Sequence, residues 1–433
     1  MCPRRSGDGS TCFGDCYDWW IAGRACGRHD SALRLHGRDP GACREHTPSR
    51  LPDGHDWGLS NLRLKHFQAL RPVCPVCRTE SRGDQPLVIS QAIRETAEDI
   101  LEGILLCPCT DCQREFPILD GIPIIVGPLR AYVSDNVLPA LMRSDLSEEL
   151  ESLLGDCSGP GSAFDVRRQL LSAYSWDHYG DYDLADAPST TSSGSIVRNL
   201  AESLQLAGPL PSGPVIDMGC SVGRTTFELA EHHDQLALGV DLNFSMLQLA
   251  SSILRTGRVS YPRRRVGVVY DRREFAYVSS HAHQVDFWAC DLLALPFSRQ
   301  SFSIAVALNV LDCVSAPAEF LHSASGLLNP GGKLILTTPF DWSPAATNVE
   351  GWLGGHSQRA VERGASENAV RKLFTEGAPG QIPEMDVIEE RDSLPWQVRL
   401  HDRASMSYRL SLTIAQKRES VLAISSSEPP ISH

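Results

Sequence analysis

The sequence predicts an α/β protein built on a mostly parallel sheet of seven strands, with a small cysteine-rich domain in front of it. Three observations lead to this fold class. Strand-like and helix-like segments alternate between residues 161 and 420, acidic residues follow several of the strand-like segments, and two C-x-x-C pairs lie within residues 59–130. Such alternation is typical of a parallel sheet with helices packed on its faces.

The composition of the 433 residues limits the function. Apolar residues make up 42% of the chain and charged residues 21%, as in ordinary globular proteins. The formal net charge of −13 argues against a nucleic-acid surface over the whole molecule. No apolar run is long enough to cross a membrane, so we expect no membrane association. The first residues lack the apolar region of a secretory signal, and we therefore expect a cytoplasmic protein.

Three segments outside the two domains have their own composition. Residues 1–58 are rich in Gly, Arg, Asp and Cys without a sustained period, and we expect them to be disordered or loosely ordered. Residues 131–160 are predicted to form a helical linker, and residues 421–433 a flexible tail.

The cysteine pairs predict a metal site. VCPVC contains Cys74 and Cys77, and CPCTDC contains Cys109 and Cys112. Two such pairs suit a tetrahedral, four-thiolate zinc site, which is structural because its closed shell leaves no position for water. Cys107 is a rival ligand, but Cys109 is preferred because Cys109 and Cys112 repeat the spacing of the first pair.

The residues after the second pair carry a family resemblance. CQREFPILDGIPIIV resembles the signature of the small zinc-ribbon family that includes the activator subunit of eukaryotic tRNA and protein methyltransferases. The matching positions are Cys109, Cys112, Phe116, Pro117, Ile118, Asp120, Gly121, Ile122 and Pro123. The resemblance implies that residues 59–130 form a zinc ribbon that packs on a methyltransferase and extends its sheet by strand addition.

The segment PVIDMGCSVGRTTFELA, residues 214–230, is an apolar strand that ends in a glycine-containing turn before a helix. Its glycine spacing does not fit a dinucleotide site, and no Gly-Lys-Ser/Thr follows, as a phosphate-binding loop requires. S-adenosylmethionine fits better, because a nearby carboxylate favours its ammonium and sulfonium charges and glycine lets the backbone approach closely. DMGCSVG also resembles the first motif of class I methyltransferases.

Acidic residues follow two further strands. LALGVDLNFSML ends a strand at Asp241, where a carboxylate can accept hydrogen bonds from ribose hydroxyls, and DFWACDLLALPF places Asp291 after the third strand. A fourth strand (SFSIAVALNVL), a fifth (NPGGKLILTTP) and a last pair (VIEERD and SYRLSLTIAQK) complete the sheet. The predicted cofactor-binding residues are Asp217, Gly219, Cys220, Gly223, Asp241, Leu242, Asp291, Leu292 and Asn309.

A second resemblance concerns the acceptor. CSVGRTTFELA, LNVLDCVSAPAEFL and LLNPGGKLILTTPFDWSPAATNVEGWLGG resemble the methyltransferase domain of ovothiol synthase. Proteins of that kind methylate an imidazole nitrogen of a histidine derivative, and the resemblance implies a Rossmann-like methyltransferase sheet over residues 161–420. The chain departs from that pattern in lacking an iron-binding sulfoxide-synthase module, in its zinc ribbon, and in an insertion at residues 255–283.

Residues at the end of the fourth strand and in the lead-in helix are the catalytic candidates. Asp312 is expected to hold the second ring nitrogen of an imidazole, which fixes its tautomer and stabilises the cation that forms. Packing or capping roles remain open for His178 and for the aromatic residues. The catalytic candidates are Asp312, Asn309, His178 and Tyr179, with Tyr174, Phe340, Asp341, Trp342 and Trp352 as further residues near the substrate.

The predicted function is therefore methyl transfer to a small-molecule or peptide-like acceptor. The first alternative is an RNA methyltransferase that grips RNA with its ribbon, for which RTGRVSYPRRR is the one basic candidate stretch. The second is a non-catalytic scaffold, against which the acids at the strand ends argue.

Overall fold

The computed structural model describes residues 62–96, 99–136, 148–186, 192–382 and 384–419. The predictions for residues 1–58 and 421–433 lie outside the described residues, as does the middle of the predicted helical linker. Within the described part, no helix combines the length and apolar character needed to cross a bilayer.

The N-terminal domain is a small antiparallel sheet with two short helices. In this sheet β3 pairs with β1, β2 and β4, and β4 pairs with β5. Apolar residues and cysteines fill the space between its elements. The elements are β1 (Leu62–Arg63), α1 (Leu64–Leu70), α2 (Pro75–Thr79), β2 (Val88–Glu95), β3 (Asp99–Leu106), β4 (Glu115–Leu119) and β5 (Ile122–Ile125).

Within the described residues, four α-helices lie between this domain and the first strand of the second domain. The longest begins at a hydroxyl cap, since the Ser162 side chain accepts a hydrogen bond from the Asp165 amide. These helices are α3 (Leu129–Asp135), α4 (Glu148–Ser158), α5 (Ala163–Tyr179) and α6 (Ser195–Ala207).

The second domain alternates strands and helices, as predicted. Its elements are β6 (Val215–Met218), α7 (Arg224–His233), β7 (Ala237–Asp241), α8 (Phe244–Thr256), β8 (Arg258–Val266), β9 (Val269–Ala276), β10 (Val285–Cys290), β11 (Phe302–Leu308), α9 (Pro317–Leu327), β12 (Leu328–Thr338), α10 (Ser366–Leu373), β13 (Met385–His401) and β14 (Ala404–Lys417). Strands β6, β10 and β11 are buried along their whole length, which is expected of parallel strands covered on both faces.

The main sheet has the strand order β10-β7-β6-β11-β12-β14-β13. Its first five strands are parallel, and β14 runs antiparallel to both β12 and β13. The chain moves from β6 to one side through β7 and β10, then to the other through β11 and β12. The crevice at the carboxyl ends of β6 and its neighbours is therefore the position where open α/β sheets bind ligands.

The two domains share one sheet. Strand β5 pairs in parallel with β10, with Ile124 opposite Ala289 and Ile125 opposite Cys290. Among the described residues the continuous sheet has twelve strands, of which seven form the main sheet and five come from the N-terminal domain. This pairing is the strand addition that the ribbon resemblance implied.

The insertion at residues 255–283 forms a separate two-stranded sheet of β8 and β9. It packs against α5, where the Arg264 amide donates a 2.7 Å hydrogen bond to the Ser172 hydroxyl. The basic stretch considered for RNA therefore lies largely on a strand.

Candidate active site and cysteine cluster

The turn after β6 has a backbone that only glycine adopts readily. Gly219 and Gly223 have φ of +80° and +88°. A Cβ on Gly219 would lie 2.4 Å from Val310 Cγ2, and one on Gly223 would lie 2.6 Å from Phe287 Cζ. The turn is fixed further by the amides of Gly219 and Cys220, which both donate to the Val240 carbonyl. The two predicted glycines are therefore required by conformation and by close packing.

The buried side chain of Asp217 joins the end of β6 to the start of α7. Its side chain is only 2% exposed, and Oδ2 accepts hydrogen bonds from the hydroxyls of Thr225 (2.6 Å) and Thr226 (2.7 Å) at the start of α7. Burial raises the pKa of Asp217 to about 6, although the two threonine hydrogen bonds oppose the shift. The structure thus gives Asp217 an anchoring role, and its contact with a cofactor remains a prediction.

Asp241 and Asp291 lie at the same edge of the sheet and are partly exposed. Asp241 accepts hydrogen bonds from the amides of Ser221 (2.9 Å) and Asn243 (2.7 Å), and Asp291 accepts one from the Leu293 amide (2.9 Å). Burial raises the pKa of both carboxyls. Each bond occupies one lone pair of a carboxylate oxygen, so both side chains keep acceptor capacity for a ligand.

The register places the three carboxylates in a staggered row on adjacent strands. Asp217 is opposite Gly239 on β7, so Asp241 lies two residues farther along. Asp241 is opposite Ala289 on β10, and Asp291 is again two residues beyond that level. The predicted acids therefore line one edge, which is the arrangement that the cofactor prediction requires.

The helix that follows the N-terminal domain, α3, also reaches this edge, which the sequence did not predict. The Tyr132 hydroxyl on α3 donates a 2.9 Å hydrogen bond to the carbonyl of Leu242, the residue after Asp241. Tyr132 follows β5 by a few residues, and β5 ends beside Cys290. Strand addition thus carries α3 to the predicted cofactor edge, beside two of the predicted contact residues, Asp241 and Leu242.

A cavity of about 790 Å³ opens beside the ends of β11 and β12. This is a suitable size for a small-molecule site. It is bounded by α5, the β8–β9 hairpin, the segments after β11 and β12, and strands β13 and β14. Its polar and aromatic lining includes Asp165, Gln169, Tyr174, Arg264, Asn309, Asp312, Asp341, Trp342, Trp396, His401 and Tyr408.

Asn309 and Asp312 are the predicted catalytic residues that reach this cavity. Asn309 has φ +59° and accepts a 3.0 Å hydrogen bond from the Thr337 hydroxyl, while its buried Nδ2 has no hydrogen-bond partner among the described residues. Asp312 is 3% exposed and accepts hydrogen bonds from the Thr338 hydroxyl (3.3 Å) and the Asp341 amide (2.7 Å). Burial raises its pKa to about 6, and the charge of Asp341 adds to the rise.

His178 and Tyr179 do not line the cavity, so the structure does not place them as predicted. Tyr179 is fully buried, and its hydroxyl donates a 2.9 Å hydrogen bond to the Val222 carbonyl. Burial, with a smaller effect of Arg224, lowers the pKa of His178 to about 3. Both residues end α5, which packs beside the turn after β6, and their side chains belong to that packing.

Two of the other aromatic candidates line the cavity, whereas Phe340 and Trp352 do not. Tyr174 and Trp342 contribute to its wall, and Trp342 stacks on Trp352 with ring centroids 6.2 Å apart. The pair Trp396 and Tyr408 was missed, because the sequence shows β13 and β14 as strands without showing which face meets α5. Their rings stack with centroids 4.9 Å apart.

The four cysteines that come together are Cys74, Cys77, Cys107 and Cys112, whose sulfur atoms all lie within 4.8 Å of one another. The preference for Cys109 is therefore wrong. Cys107 continues from β3, where its amide donates to the Arg114 carbonyl, and its side chain is completely buried. Cys109 lies in the turn instead, and its carbonyl accepts the Cys112 amide. Matching the spacing of the first pair could not reveal this difference.

The basic hairpin carries paired charges. Arg263 forms ion pairs with Asp186 and Asp402, at 3.0 and 2.9 Å. Arg265 also pairs with Asp402, so that one carboxylate joins two arginines of β8. RNA binding was the alternative considered for this stretch, and the ion pairs reduce the positive charge available to contact phosphates.

Comparison with known proteins identifies the domain. Residues 216–336 match the family model described as a methyltransferase domain. An O-methyltransferase of Pyrenophora dematioidea is 21% identical over 224 residues, which are 50% of this chain and 73% of the relative. The 27-O-demethylrifamycin SV methyltransferase of Amycolatopsis mediterranei is 24% identical over 180 residues, which are 41% of this chain and only 56% of that relative.

Among solved structures, phosphoethanolamine N-methyltransferase 2 of Haemonchus contortus is 21% identical, with a TM-score of 0.28 over 40% of this chain and 35% of that one. The family match runs from β6 to β12. The three staggered acids lie at the carboxyl ends of strands in this region, and the cavity lies beside the ends of β11 and β12. The chain therefore carries the catalytic domain of a class I S-adenosylmethionine-dependent methyltransferase enzyme.

Proposed function

We propose that this protein methylates a small-molecule or peptide-like acceptor, and that the accepting atom is an imidazole nitrogen of a histidine derivative. One observation carries the proposal: the cavity at the end of β11 has the buried carboxyl of Asp312 on its wall, together with Asn309, which is also a predicted cofactor-binding residue. Asn309 lines the cavity and directly follows β11, and the next residue, Val310, packs against Gly219 in the turn after β6.

The residues at the strand ends fit S-adenosylmethionine. The partly exposed carboxylates of Asp241 and Asp291 retain acceptor capacity for the hydroxyls and the amino group of a nucleoside. The unpartnered Nδ2 of Asn309 supplies a buried donor that a ligand would satisfy. When bound, the cofactor supplies a methyl group activated by its sulfonium.

The cavity walls favour an acceptor that becomes cationic. Asp312 and Asp341 lie together, and burial already raises the pKa of Asp312 to about 6. A positive charge that develops beside this pair is stabilised strongly, because the surroundings hold little water to screen it. Aromatic faces such as those of Trp342 and Tyr408 also suit a flat, cationic ring.

The protein's contribution to the reaction is placement and charge. Asp312 accepts the N–H of the ring nitrogen that is not methylated, so the other nitrogen keeps its lone pair free for attack. The carboxylate then balances the imidazolium that forms. The aromatic walls orient the ring and exclude water.

We also propose that the cysteine cluster binds structural zinc. A tetrahedral site with zinc–sulfur bonds of about 2.3 Å has sulfur–sulfur edges of about 3.8 Å. The Cys74–Cys112 and Cys77–Cys107 sulfur distances are 3.8 and 3.6 Å. Four thiolates close the shell, so the ion would stabilise the domain that supplies β5, from which the chain continues into α3.

The proposal is tested by incubating the purified protein with radiolabelled S-adenosylmethionine and a panel of histidine derivatives, thiols, phenols and RNA. Transfer to an imidazole nitrogen supports it. Transfer to a hydroxyl, as the names of the curated relatives suggest for those proteins, would contradict the choice of acceptor. Calorimetry with S-adenosylhomocysteine separates a scaffold from an enzyme, because a scaffold without a cofactor site releases no binding heat.

A further inference from the structure

The β8–β9 hairpin contains six arginines, and one of them differs from the rest. Five form ion pairs with carboxylates of described residues, whereas no ion pair among the described residues includes Arg264. The paired arginines are Arg258, Arg263, Arg265, Arg272 and Arg273. Arg264 is also the one member of this set that lines the cavity beside Asn309 and Asp312.

Neutral groups hold Arg264 in place. Its Nε donates a 2.7 Å hydrogen bond to the Gly267 carbonyl, and Nη1 donates a 2.9 Å bond to Gln169 Oε1. The main-chain amide of Arg264 is bound by Ser172 on α5. These contacts fix the position of the guanidinium on the wall of the cavity but give it no carboxylate in direct contact among the described residues.

The carboxylate on the same wall is already satisfied. Asp165 accepts hydrogen bonds from the Tyr270 hydroxyl, the Gly161 amide and Gln169 Nε2, at 2.9, 3.0 and 2.8 Å. It supports Arg264 through Gln169 and does not form an ion pair with it. The cavity thus offers a positioned cation on the α5 and hairpin side, and the Asp312–Asp341 carboxyl pair at the ends of β11 and β12.

We infer that Arg264 binds an anionic group of the methyl acceptor, and that this group is a carboxylate. A guanidinium matches a carboxylate in shape and charge, and an unpaired one on a cavity wall gains most from such a ligand. Together with Asp312, it selects an acceptor that carries a basic nitrogen and a carboxylate, as a free amino acid or a peptide C-terminus does. That the acceptor carries a basic nitrogen rests on the proposed function, whereas its carboxylate is inferred from Arg264 alone.

The test compares two probes that differ by the carboxylate. L-histidine and histamine are titrated into the full chain with saturating S-adenosylhomocysteine, and the fluorescence of the cavity tryptophans reports binding. A charged hydrogen bond of this kind corresponds to roughly ten- to a hundredfold in affinity, so we expect the wild type to prefer histidine by about that factor. Arg264→Gln should abolish the preference, and Arg264→Lys should retain part of it.

Arg265→Gln is the matched control, because Arg265 lies on the same strand but is exposed and ion-paired. It should keep the preference for histidine. Equal affinities of the wild type for the two probes would overturn the inference, as would an unchanged preference in Arg264→Gln. Calorimetric binding of S-adenosylhomocysteine by each variant verifies that its fold is intact.

The experiment distinguishes a wrong choice of the imidazole acceptor from a wrong inference about Arg264. If neither probe binds the wild type, the comparison is repeated with the acceptor that the labelled panel identifies, as its carboxylate and as its amide. A preference for the carboxylate that depends on Arg264 then supports the inference. Equal use of the two forms overturns it, whichever atom is methylated.

Discussion

The main-chain amide of Asp341 donates a 2.7 Å hydrogen bond to Oδ2 of Asp312, and this bond joins the segment after β12 to the segment after β11. It also brings two carboxyl groups together at the wall of the cavity beside β11 and β12. The exposed one, Asp341, accepts a hydrogen bond from the Tyr408 hydroxyl of β14 at 3.2 Å. The segment after β11, the segment after β12 and strand β14 therefore meet at this pair of carboxyl groups.

Asp312→Asn is expected to reduce turnover by about 100-fold or more, because the amide has the shape of the carboxylate without the charge that balances a cation. Cofactor affinity should change little, since Asp312 lies on the acceptor side. Steady-state kinetics and calorimetry with S-adenosylhomocysteine measure the two effects. Asp386→Asn, which removes an exposed carboxylate paired with Arg418, is the control and should leave both unchanged. Equal losses of turnover and cofactor affinity in Asp312→Asn would assign it to cofactor binding.

Turnover is expected to fall as the pH drops below about 6, the pKa to which burial raises Asp312. Its carboxyl is protonated more easily in the folded state than in the unfolded state, so acidification does not weaken folding through this group. Asp217 has a similarly raised pKa, but its environment does not include Asp341. Asp341→Asn should therefore move the acidic limb of the rate profile to lower pH. A limb that stays in place in this variant would assign it to another group.

Much of the second domain could be predicted from local patterns. Each buried parallel strand is a short apolar run, and Asp241 and Asp291 follow such runs directly, so their position at one edge follows from the direction of the strands. The role of Asp217 could not be read in this way. Its two threonine partners are eight and nine residues away, and only the folded turn shows that they cover it.

Only part of the lining of the cavity beside β11 and β12 could be predicted from the sequence. Asn309 and Asp312 follow a strand, and chain order places them at its end. Arg264, Trp396 and Tyr408 come from a hairpin and a strand pair that are distant in sequence, and they meet through packing on α5. The cysteines show the same limit, because spacing alone favoured Cys109, whereas burial at the end of β3 selects Cys107.

The cysteine cluster gives a prediction with a control inside the same turn. Cys107→Ser should lose bound zinc, because it removes one of four ligands, whereas Cys109→Ser should retain about one zinc per chain. Metal content is measured by mass spectrometry of the purified proteins after dialysis. Loss of zinc from the Cys109 variant alone would contradict the ligand set, and absence of zinc from the wild type would contradict the zinc proposal.

The turn after β6 should not tolerate a Cβ at Gly219. Alanine there adds the strain of φ +80° and places a methyl group 2.4 Å from Val310 Cγ2. Gly83 has nearly the same φ, +82°, with no heavy atom within 4 Å of its Cβ position. Gly83→Ala should cost about 1–2 kcal/mol of unfolding free energy from the backbone alone. Gly219→Ala should cost roughly 1–3 kcal/mol more and weaken cofactor binding.

Urea unfolding monitored by circular dichroism measures both glycine variants. The difference between them isolates the steric contact, because the backbone term is common to both. Equal losses of unfolding free energy in the two variants would show that Val310 moves aside without cost. Glycine would then be required at position 219 only for its backbone conformation.

Tyr132→Phe tests whether α3, the helix that follows the N-terminal domain, supports the predicted cofactor edge. The variant keeps the buried ring and removes only the 2.9 Å hydrogen bond to the Leu242 carbonyl. We expect a loss of about 0.5–1.5 kcal/mol, the net value of such a bond. Because Leu242 adjoins Asp241, part of the loss should appear as a severalfold weaker binding of S-adenosylhomocysteine in calorimetry. Tyr182→Phe changes a half-exposed ring elsewhere and should leave this affinity unchanged. If Tyr132→Phe weakens folding without weakening binding, the hydrogen bond serves domain attachment and not the cofactor edge.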